Sequence, residues 1–358
     1  MNHYGVIMAG GGGTRFWPLS RQKTPKQLLN LSGKDLMVNE AIDRMSTVIE
    51  RNNIFIITSE VQASAMESAT VNKILKKNIL AEPAARNTAA CIGYSAMEIV
   101  RKYGDGVMII TPADHYIKDV PSLTTIFRTA ITTAEEQNKL ITIGLKPTFP
   151  STGFGYIKYN AISDGDAKPV IEFREKPDEE TAKRYMESGE YAWNSGMFIW
   201  KASLILEKLK ENTPDIYADL VKIGDAMDTA NERTILREIY PRIRKISIDY
   251  AVMEPCSTKG EVLVIPGECG WNDVGSWDMM DILHEPDLDN NILIGDVTAI
   301  DVKNSVVYSS SKTVTAVDVD NLVIVETSDA IMVCKKDKAQ NVKKIVDALN
   351  EAGRKELL

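Results

Sequence analysis

The sequence of 358 residues contains few of the side chains on which several common enzyme mechanisms depend. Its three histidines leave little material for a histidine-based catalytic triad or a polyhistidine metal centre. Its four cysteines form no CxxC pair and have no neighbouring histidine, which disfavours structural zinc and favours reduced thiols. No apolar run approaches the ~18 residues of a membrane span, and the N-terminus shows no export signal. We therefore expect a cytoplasmic protein without zinc or a triad.

Charge and composition narrow the classes of partner. The chain has 42 Lys and Arg against 50 Asp and Glu, a formal charge of −8. This balance predicts no general attraction to nucleic acid or to an anionic membrane, although a local basic pocket is compatible with it. A hydrophobic content of 44% with 26% charged residues is typical of a soluble globular protein. The length predicts about two domains, one large and one small.

The first half alternates apolar runs with amphipathic segments, which predicts an α/β fold with a mixed, mostly parallel sheet. Strands are expected at 4–8, 53–58, 78–81, 107–111 and 140–144, and helices at 36–49, 60–70, 88–103 and 124–137. Asn87 and Thr88 are expected to cap the third helix, and Gly104 to end it. Because ligands bind outside the carboxyl ends of parallel strands, the loops after the first, third and fourth strands are the expected place for chemistry.

The second half of the chain has a different pattern of predicted strands and helices. Further strands are expected at 153–159, 170–174, 196–200 and 261–266, with helices near 178–188 and 202–211 and a short one at 248–253. From 290 to 335, short β-rich runs recur about every eight or nine residues, which indicates a small all-β module or a short solenoid. A last helix is expected at 338–352. We therefore predict a domain over 1–285, a linker-like stretch at 284–291 and a small domain over 290–358.

Four glycines follow the first predicted strand, in the segment MAGGGGTRFWP at 8–18. Consecutive N–H groups in such a loop can cradle phosphate oxygens. Neither GxGxxG nor the Walker A pattern fits. Arg15 and Lys26, the latter in TPKQ at 24–27, supply two cations that can neutralise a triphosphate. The alternative is a tight turn beside solvated cations.

Two aspartates are candidate metal ligands. Asp114 lies just past the fourth strand in TPADH at 111–115, and Asp273 lies between two tryptophans in WNDVGSW at 271–277. Carboxylates at a sheet mouth suit Mg²⁺, provided that the fold brings the two together. Asp114 is equally explained as a turn residue, and Asp273 as part of an aromatic core corner. His115 is given no role.

Three further segments indicate a pocket for a sugar phosphate. They are FREKP at 173–177, WNSGMF at 193–198 and SIDYAVME at 247–254. The first pairs a cation with a carboxylate, the second offers an amide that can both donate to and accept from vicinal hydroxyls, and the third carries Asp249. An edge strand closed by proline and ordinary helix capping are the alternatives. The joint presence of these segments with the glycine loop favours the functional interpretation.

Taken together with EPAARNTA at 82–89, these motifs resemble the mannose-1-phosphate guanylyltransferases, also called GDP-mannose pyrophosphorylases, of the sugar nucleotidyltransferase superfamily. The resemblance runs in order from the N-terminus to about 285 and continues more loosely through the tail. It implies a Rossmann-like nucleotidyltransferase domain and a short left-handed β-helix that often mediates dimer contacts, so a homodimer is expected. The glycine loop is shared widely, whereas EPxxRNT and WNDVGSW are specific to the mannose and GTP branch.

The resemblance also implies a reaction: GTP and α-D-mannose 1-phosphate give GDP-mannose and pyrophosphate, by in-line attack without a covalent intermediate. Such chemistry needs alignment and charge neutralisation more than a nucleophile, in keeping with the scarcity of histidine. The residues that the resemblance assigns to the nucleotide are Gly10, Gly11 and Gly13 with Arg15 and Lys26 at the phosphates, and Pro83, Asn87 and Thr88 at the guanine. Those assigned to Mg²⁺ and the sugar phosphate are Asp114 and Asp273 for the metal, Lys176 for the 1-phosphate, Gly155, Glu175 and Asn194 for the mannose, and Asp249 in support.

The sequence departs from this family in one detail and leaves three other functions to weigh. Many relatives carry serine or another residue at the third glycine, where an extra glycine should add flexibility without removing a phosphate contact. The chain carries no cupin-like isomerase domain, so no isomerase activity is expected. A nucleotidyltransferase for another sugar or nucleotide is the nearest alternative. A catalytically silent sensor is disfavoured because the expected cations and carboxylates are all present, and a dehydrogenase because GxGxxG is missing.

Overall fold

The computed structural model describes residues 1–358. Its strands are β1 (Asn2–Met8), β2 (Ile54–Ser59), β3 (Ile79–Glu82), β4 (Gly106–Pro112), β5 (Tyr116–Ile117), β6 (Leu140–Leu145), β7 (Gly155–Tyr159), β8 (Lys168–Glu175), β9 (Tyr191–Lys201), β10 (Val262–Gly267), β11 (Trp271–Asn272), β12 (Ile292–Ile294), β13 (Val297–Ile300), β14 (Val306–Ser309), β15 (Val314–Val317), β16 (Leu322–Glu326) and β17 (Ile331–Lys335). Its α-helices are α1 (Met37–Met45), α2 (Glu60–Thr70), α3 (Asn87–Lys102), α4 (Val120–Gln137), α5 (Glu179–Ser188), α6 (Ala202–Asn212), α7 (Pro214–Ala226), α8 (Glu232–Ile239), α9 (Glu254–Ser257) and α10 (Val342–Glu351).

A nine-stranded sheet in the order β3-β2-β1-β4-β9-β6-β10-β8-β7 forms the body of the molecule. Only β8 and β9 run against the other seven strands, so the expected mixed, mostly parallel sheet is confirmed. The order β3-β2-β1-β4 is that of a Rossmann-like half. The loops after β1, β3 and β4 therefore open at one edge of the sheet, as the sequence predicts.

The sheet is buried on both faces, which explains the continuous apolar runs of its central strands. In β1, Val6 belongs to a core of 40 buried residues on one face, and the next residue, Ile7, belongs to a core of 32 on the other. In β4, Met108 and Ile109 divide in the same way. Because successive side chains of a strand point to opposite faces, such a strand needs apolar residues at every position.

The C-terminal segment contains two small sheets. Strands β12, β14 and β16 pair in parallel, β17 adds antiparallel to β16, and β13 pairs in parallel with β15. The β-rich runs predicted for the tail, at 296–301, 305–309, 313–318, 322–326 and 330–334, all form strands. Strand β12 is an additional one that the sequence interpretation missed. The last helix begins at Val342 instead of 338, after a short 3-10 turn over Lys336–Asn341. The handedness of the module stays a prediction.

One local expectation is wrong, and the short helix expected at 248–253 is confirmed in a π-helical form. Neither Asn87 nor Thr88 caps α3: the capping position is Arg86 and makes no side-chain bond to the helix. The Thr88 hydroxyl instead accepts a hydrogen bond from the backbone N–H of Ile248 at 2.8 Å, which ties α3 to the distant 247–254 segment. That segment is a π-helical turn over Asp249–Met253 that leads into α9, not an ordinary capped helix. Gly104 ends α3 with φ of 88°, as expected.

None of the helices combines the length and the apolar composition that crossing a bilayer requires.

Candidate active site

The glycine loop after β1 is shaped by its contacts with the TPKQ segment. Gly13 has φ of 58°, and a Cβ there would overlap Cβ of Lys26, so only glycine fits. The side-chain amide of Gln27 donates to the carbonyl oxygens of Ala9 at 2.6 Å and Gly11 at 3.1 Å. These bonds hold the loop in one conformation. The sequence interpretation gave Gln27 no role, although it stands next to Lys26.

Lys26 connects the two candidate metal ligands. Its side chain is buried, and Nζ donates to the carbonyl oxygen of Asp114 at 2.8 Å, to Oδ2 of Asp114 at 3.1 Å and to the carbonyl oxygen of Asp273 at 2.5 Å. A lysine ammonium has three hydrogens to donate, so all of them are used here. The structure thus brings Lys26, Asp114 and Asp273 together. The triphosphate contact expected of Lys26 stays a prediction.

The two aspartates differ in their electrostatics. Desolvation raises the pKa of Asp114, but the charge of Lys26 and its hydrogen bond outweigh this effect and lower it overall. Burial raises the pKa of Asp273, and the charges of Lys26 and Arg15 offset this only in part. The Asp273 carboxylate accepts no hydrogen bond from another side chain. It is therefore a half-buried carboxylate without a side-chain hydrogen-bond partner.

The donor set fits a divalent cation that is completed by substrate. Mg²⁺ is commonly bound through one or two carboxylates together with substrate phosphates, and not by an all-protein cage. No group of three or more His, Cys, Asp or Glu side chains in the structure could hold a metal ion. The carboxylates of Asp114 and Asp273 would be the two protein ligands, and they stand beside the glycine loop where phosphates are expected.

A cleft of about 260 Å³ opens next to this pair. It lies between the carboxyl end of β4 and the strands β7 and β9. Of the residues that the sequence predicts for the site, its walls contain Thr88, Gly155, Glu175, Lys176, Asn194, Asp249 and Asp273. The glycine loop, Arg15, Lys26, Pro83, Asn87 and Asp114 lie outside these walls, so the predicted sugar site and the predicted phosphate site are adjacent, not merged.

Asn194 is fixed in orientation at the floor of the cleft. Its Nδ2 donates to Oδ1 of Asp249 at 3.0 Å, and its Oδ1 accepts from the hydroxyl of Thr142 at 3.0 Å. Because both sides of the amide are used, the O and N positions follow from the hydrogen bonds. Asp249 thus supports Asn194, as the resemblance implies.

Glu175 lines the cleft and has one carboxylate oxygen that is buried without a partner. Its Oε2 is buried without a hydrogen-bond partner, and a Cβ on Gly155 would overlap it. Burial, with the nearby charge of Asp249, raises the pKa of Glu175 to about 7. Lys176 approaches its other oxygen at 3.3 Å and is largely exposed at the rim. The missing side chain of Gly155 thus makes room for the Glu175 carboxylate itself, and Oε2 is left without a hydrogen-bond partner.

His115 belongs to the site although the sequence interpretation gave it no role. Its Nδ1 accepts a hydrogen bond from Nε1 of Trp271 at 3.0 Å. An indole nitrogen only donates, so the histidine proton must sit on Nε2 when the ring is neutral. Burial lowers the pKa of His115 to about 4, which keeps the ring neutral near pH 7. The contact joins residues 156 apart in sequence, which no local pattern reveals.

Glu82 lies beside the glycine loop. The hydroxyl of Tyr240 donates to Oε1 of Glu82, and burial raises the pKa of this carboxyl to about 7. The other oxygen, Oε2, lies 3.3 Å from the position of a Cβ on Gly10 and so faces the glycine loop. Glu82 is the first residue of EPAARNTA, and this was the signal available in the sequence. Asn87, five residues on, has φ of 66° and uses its side-chain oxygen to accept from the N–H of Thr88.

Comparison with known proteins defines the class first. Residues 4–288 match the family described as nucleotidyl transferase, and residues 295–349 match the mannose-phosphate isomerase/GMP-like β-helix domain. The first match spans most of the chain. The protein therefore belongs to the nucleotidyltransferase family and carries a β-helix domain after it.

Individual relatives then indicate the group within the nucleotidyltransferase family. The mannose-1-phosphate guanylyltransferase of Escherichia coli (strain K12) is 38% identical over 360 residues, which are 99% of this chain and 74% of that one. The xanthan biosynthesis protein XanB of Xanthomonas campestris pv. campestris (strain B100) is 40% identical over 98% of this chain and 74% of its own length. A crystal structure from Thermus thermophilus, described as a mannose-1-phosphate geranyltransferase, has a TM-score of 0.87 at 30% identity and covers 98% of this chain and 100% of its own. The resemblance drawn from the motifs is confirmed: this chain belongs with the mannose-1-phosphate guanylyltransferases.

Proposed function

We propose that the protein transfers GMP from GTP to α-D-mannose 1-phosphate, giving GDP-mannose and pyrophosphate. The observation that carries this proposal is the proximity of a glycine loop, two aspartates held by Lys26 and a polar cleft. Lys26 contacts Asp114 through its carboxylate and Asp273 through its backbone carbonyl oxygen. The first two elements suit a nucleoside triphosphate, and the third suits a sugar phosphate. The names of the relatives supply the particular substrates.

In the proposed reaction, an oxygen of the sugar phosphate attacks the α-phosphorus of GTP in line with the leaving group. A new P–O bond forms while the bond from the α-phosphorus to the pyrophosphate oxygen breaks, and pyrophosphate departs with that electron pair. No side-chain nucleophile is needed, so catalysis consists of alignment and charge stabilisation. Gly10, Gly11 and Gly13 offer backbone N–H groups to the phosphates, and Arg15 and Lys26 offset their charge. Lys176, whose largely exposed side chain lies at the cleft rim, would hold the sugar 1-phosphate.

Asp114 and Asp273 would hold Mg²⁺, which when bound neutralises phosphate charge and aligns the two substrates. Lys26 acts on both aspartates through the contacts described above, so it fixes their separation. It also compensates part of their negative charge before substrate arrives.

Glu82 is proposed to contribute to base selection together with Pro83, Asn87 and Thr88. Guanine presents N–H donors along its pairing edge, and a carboxylate oxygen accepts such donors. Oε1 of Glu82 is taken by Tyr240, and Oε2 faces the loop where the nucleotide is expected. A site built to accept donors discriminates strongly against a base that lacks them, because its own acceptor is then left unpaired.

The mannose is proposed to bind in the cleft, against Gly155, Glu175 and Asn194. The absent side chain of Gly155 makes room for the Glu175 carboxylate in the cleft wall, and this carboxylate would accept a sugar hydroxyl. The amide of Asn194 is already oriented by Asp249 and Thr142, so binding would cost little side-chain ordering. Residues 1–285 would carry this chemistry, residues 290–358 would form the smaller domain, and a homodimer stays our proposal for the assembly.

Pyrophosphate release tests the proposal directly. Four nucleoside triphosphates should be combined with the 1-phosphates of mannose, glucose, glucosamine and fucose, each with Mg²⁺ and with EDTA. We expect one dominant signal, for GTP with mannose 1-phosphate, that EDTA abolishes. Strong turnover with another pair would refute the substrate assignment. No turnover with any pair, with GTP still bound, would indicate a silent sensor.

A further inference from the structure

Arg15, the proposed phosphate clamp, is held by the C-terminal domain. Its Nη1 donates to Oε1 of Gln340 at 2.7 Å, across 325 residues of sequence. Gln340 lies in the turn Lys336–Asn341 that precedes α10. No other hydrogen bond fixes the Arg15 guanidinium. The conformation of this arginine therefore depends on a residue outside the nucleotidyltransferase domain.

The same glutamine also reaches the loop that carries Asp273. Its Nε2 donates to Oγ of Ser276 at 2.6 Å, and Ser276 is fully buried. A Cβ on Gly275 would lie 3.3 Å from Nη1 of Arg15 and 3.4 Å from Oδ2 of Asp273. The guanidinium and the Asp273 carboxylate are thus on the same side of this loop. The oxygen of the Gln340 amide thus contacts Arg15, and its nitrogen contacts Ser276 in the loop that carries Asp273.

The glutamine is itself held in place by packing. Its neighbours Ala339 and Val342 are buried in a cluster that also contains Phe16 and Trp277. The indole of Trp17 donates to the carbonyl oxygen of Leu357 at 2.8 Å, a second link between the same two segments. Gln340 is itself exposed, but its backbone is anchored by these buried neighbours at the contact between the domains.

We propose that Gln340 is a positioning residue for nucleotide binding: it holds the Arg15 guanidinium over the phosphate site, so that the C-terminal domain completes this site in cis. The inference rests on the proposed function, because it takes a triphosphate as the ligand of Arg15. A free arginine side chain loses rotamer freedom when it binds a ligand, and a side chain that is already held loses less. The amide is neutral, so it orients the guanidinium without cancelling its charge.

The proposal predicts which substrates are affected. The fork of an arginine binds phosphate oxygens, and the end of the triphosphate departs as pyrophosphate. Loss of Gln340 should therefore raise the KM for GTP in the forward reaction and for pyrophosphate in the reverse reaction. The KM values for mannose 1-phosphate and GDP-mannose should stay nearly unchanged. A general loss of structure would not separate the substrates in this way.

The test variant is Gln340→Met, which keeps the length of the side chain and removes both hydrogen bonds. We expect the KM for GTP and for pyrophosphate to rise by about tenfold, the size of one lost hydrogen bond to a charged group, with kcat within about twofold. The matched control is Asp329→Asn. It weakens the 2.8 Å contact of Asp329 with Arg21, which also crosses between the domains, but does not touch Arg15. We expect the control to leave every KM within about twofold.

A double-mutant cycle separates positioning from simple adhesion between the domains. In the Arg15→Ala background, Gln340→Met should have no further effect on the KM for GTP or pyrophosphate. An equal effect in both backgrounds, or unchanged KM values for Gln340→Met in an active protein, would overturn the proposal. Binding of GTP should be titrated separately without a sugar phosphate. If the wild type binds GTP but has no turnover, the proposed function fails, and weaker GTP binding by Gln340→Met would still support the positioning role.

Discussion

The buried ammonium of Lys26 donates directly to the carboxylate of Asp114. It also donates to the backbone carbonyl oxygen of Asp273 in a second loop. Asp114 and Asp273 are thereby placed side by side, with pKa values shifted in opposite directions. Neither carboxylate is required to hold the sheet together, because each lies in a loop beyond a strand end. Their substitution should therefore affect chemistry more than folding.

We expect Asp114→Asn and Asp273→Asn each to lower kcat by roughly 100-fold or more, because each removes a charge from the proposed cation site. The thermal unfolding of both variants should stay close to that of the wild type. Initial rates at saturating Mg²⁺ and melting curves check this. Asp119→Asn, which changes an exposed aspartate at the start of α4 to another good capping residue, is the control. Near wild-type turnover in either active-site variant would refute the metal assignment.

Glu82 links the nucleotide site to the pH dependence of stability. Burial raises its pKa to about 7 in the folded protein, above the ordinary value near 4.5. The folded state then binds more protons than the unfolded state between these two values, so stability falls as pH rises through this window. The cost above pH 7 is on the order of 3 kcal/mol.

Glu82→Gln should remove this dependence, since a glutamine still accepts the hydrogen bond of Tyr240 and carries no charge. Urea unfolding at pH 5 and pH 8 measures it: the variant should gain stability over the wild type at pH 8 and be close to it at pH 5. Glu175 has a similarly raised pKa and should leave part of the slope in place. An unchanged difference between the two pH values would contradict the buried, proton-binding state of Glu82.

Several site residues could be predicted from sequence, and others could not. Asp114 and Asp273 stand in distinctive short motifs, so they were found as candidates. The Tyr240–Glu82 and Trp271–His115 contacts join residues 158 and 156 apart, and they depend on how the chain folds back. Each partner looks like an ordinary core or loop residue in its own surroundings. Pairing across such distances is tertiary information that local motifs do not contain.

At the scale of elements, the glycine loop contains two neighbouring glycines with different requirements. Gly13 adopts a left-handed conformation, and a Cβ there would overlap Lys26. Gly12 has no such constraint: its nearest atom to a Cβ would be Cγ2 of Thr14 at 3.8 Å. The position at which the sequence departs from many relatives is thus the one at which a side chain fits.

We expect Gly13→Ala to destabilise the protein by about 1–2 kcal/mol from backbone conformation alone, with a further loss from the contact with Lys26. Because that contact displaces the residue between the two aspartates, activity should fall as well. Gly12→Ala is the matched control and should change stability by no more than about 0.5 kcal/mol. Denaturant unfolding and initial rates of the two variants decide the matter. Equal behaviour of both would show that the loop tolerates a side chain at Gly13.

The central strands of the main sheet could be predicted because burial on both faces requires a short continuous apolar run in each of them. The start of α3 could not be predicted in detail. Thr88 is a good capping residue by type, but the Ile248 N–H from a distant segment uses its hydroxyl. The antiparallel direction of β8 and β9 could not be predicted from a local pattern either, because it is set by the strands beside them.

At the scale of the whole molecule, the two domains share a core. One cluster of 15 buried residues contains residues of both domains. Phe16 and Trp17 follow the glycine loop, and Trp277 ends the segment 271–277. Val306 and Val323 come from the C-terminal sheet. The sequence predicted a separate small domain with a role in dimer contacts. A boundary read from composition says where the pattern changes, not whether the two parts pack together, and here they do.

Trp277 is the residue on which this shared core depends most. It is fully buried, its ring lies 5.3 Å from that of Phe16 and 5.7 Å from that of Tyr308, and its indole donates to the carbonyl oxygen of Trp17. Trp277→Ala should cost about 3–5 kcal/mol, as expected for removal of a large buried aromatic side chain. Because the cavity would lie between the domains, we expect hydrogen exchange to accelerate both in β14 and β16 and in the segment around Phe16.

Val333→Ala is the control for Trp277→Ala, since Val333 is 59% exposed on the outer strand β17 and should leave exchange in the segment around Phe16 unchanged. Faster exchange in only one of the two regions of Trp277→Ala would show that the domains unfold independently. Coupled acceleration would mean that the C-terminal domain stabilises the glycine-loop segment directly. The stability of the nucleotide site would then be a property of the whole chain and not of the nucleotidyltransferase domain alone.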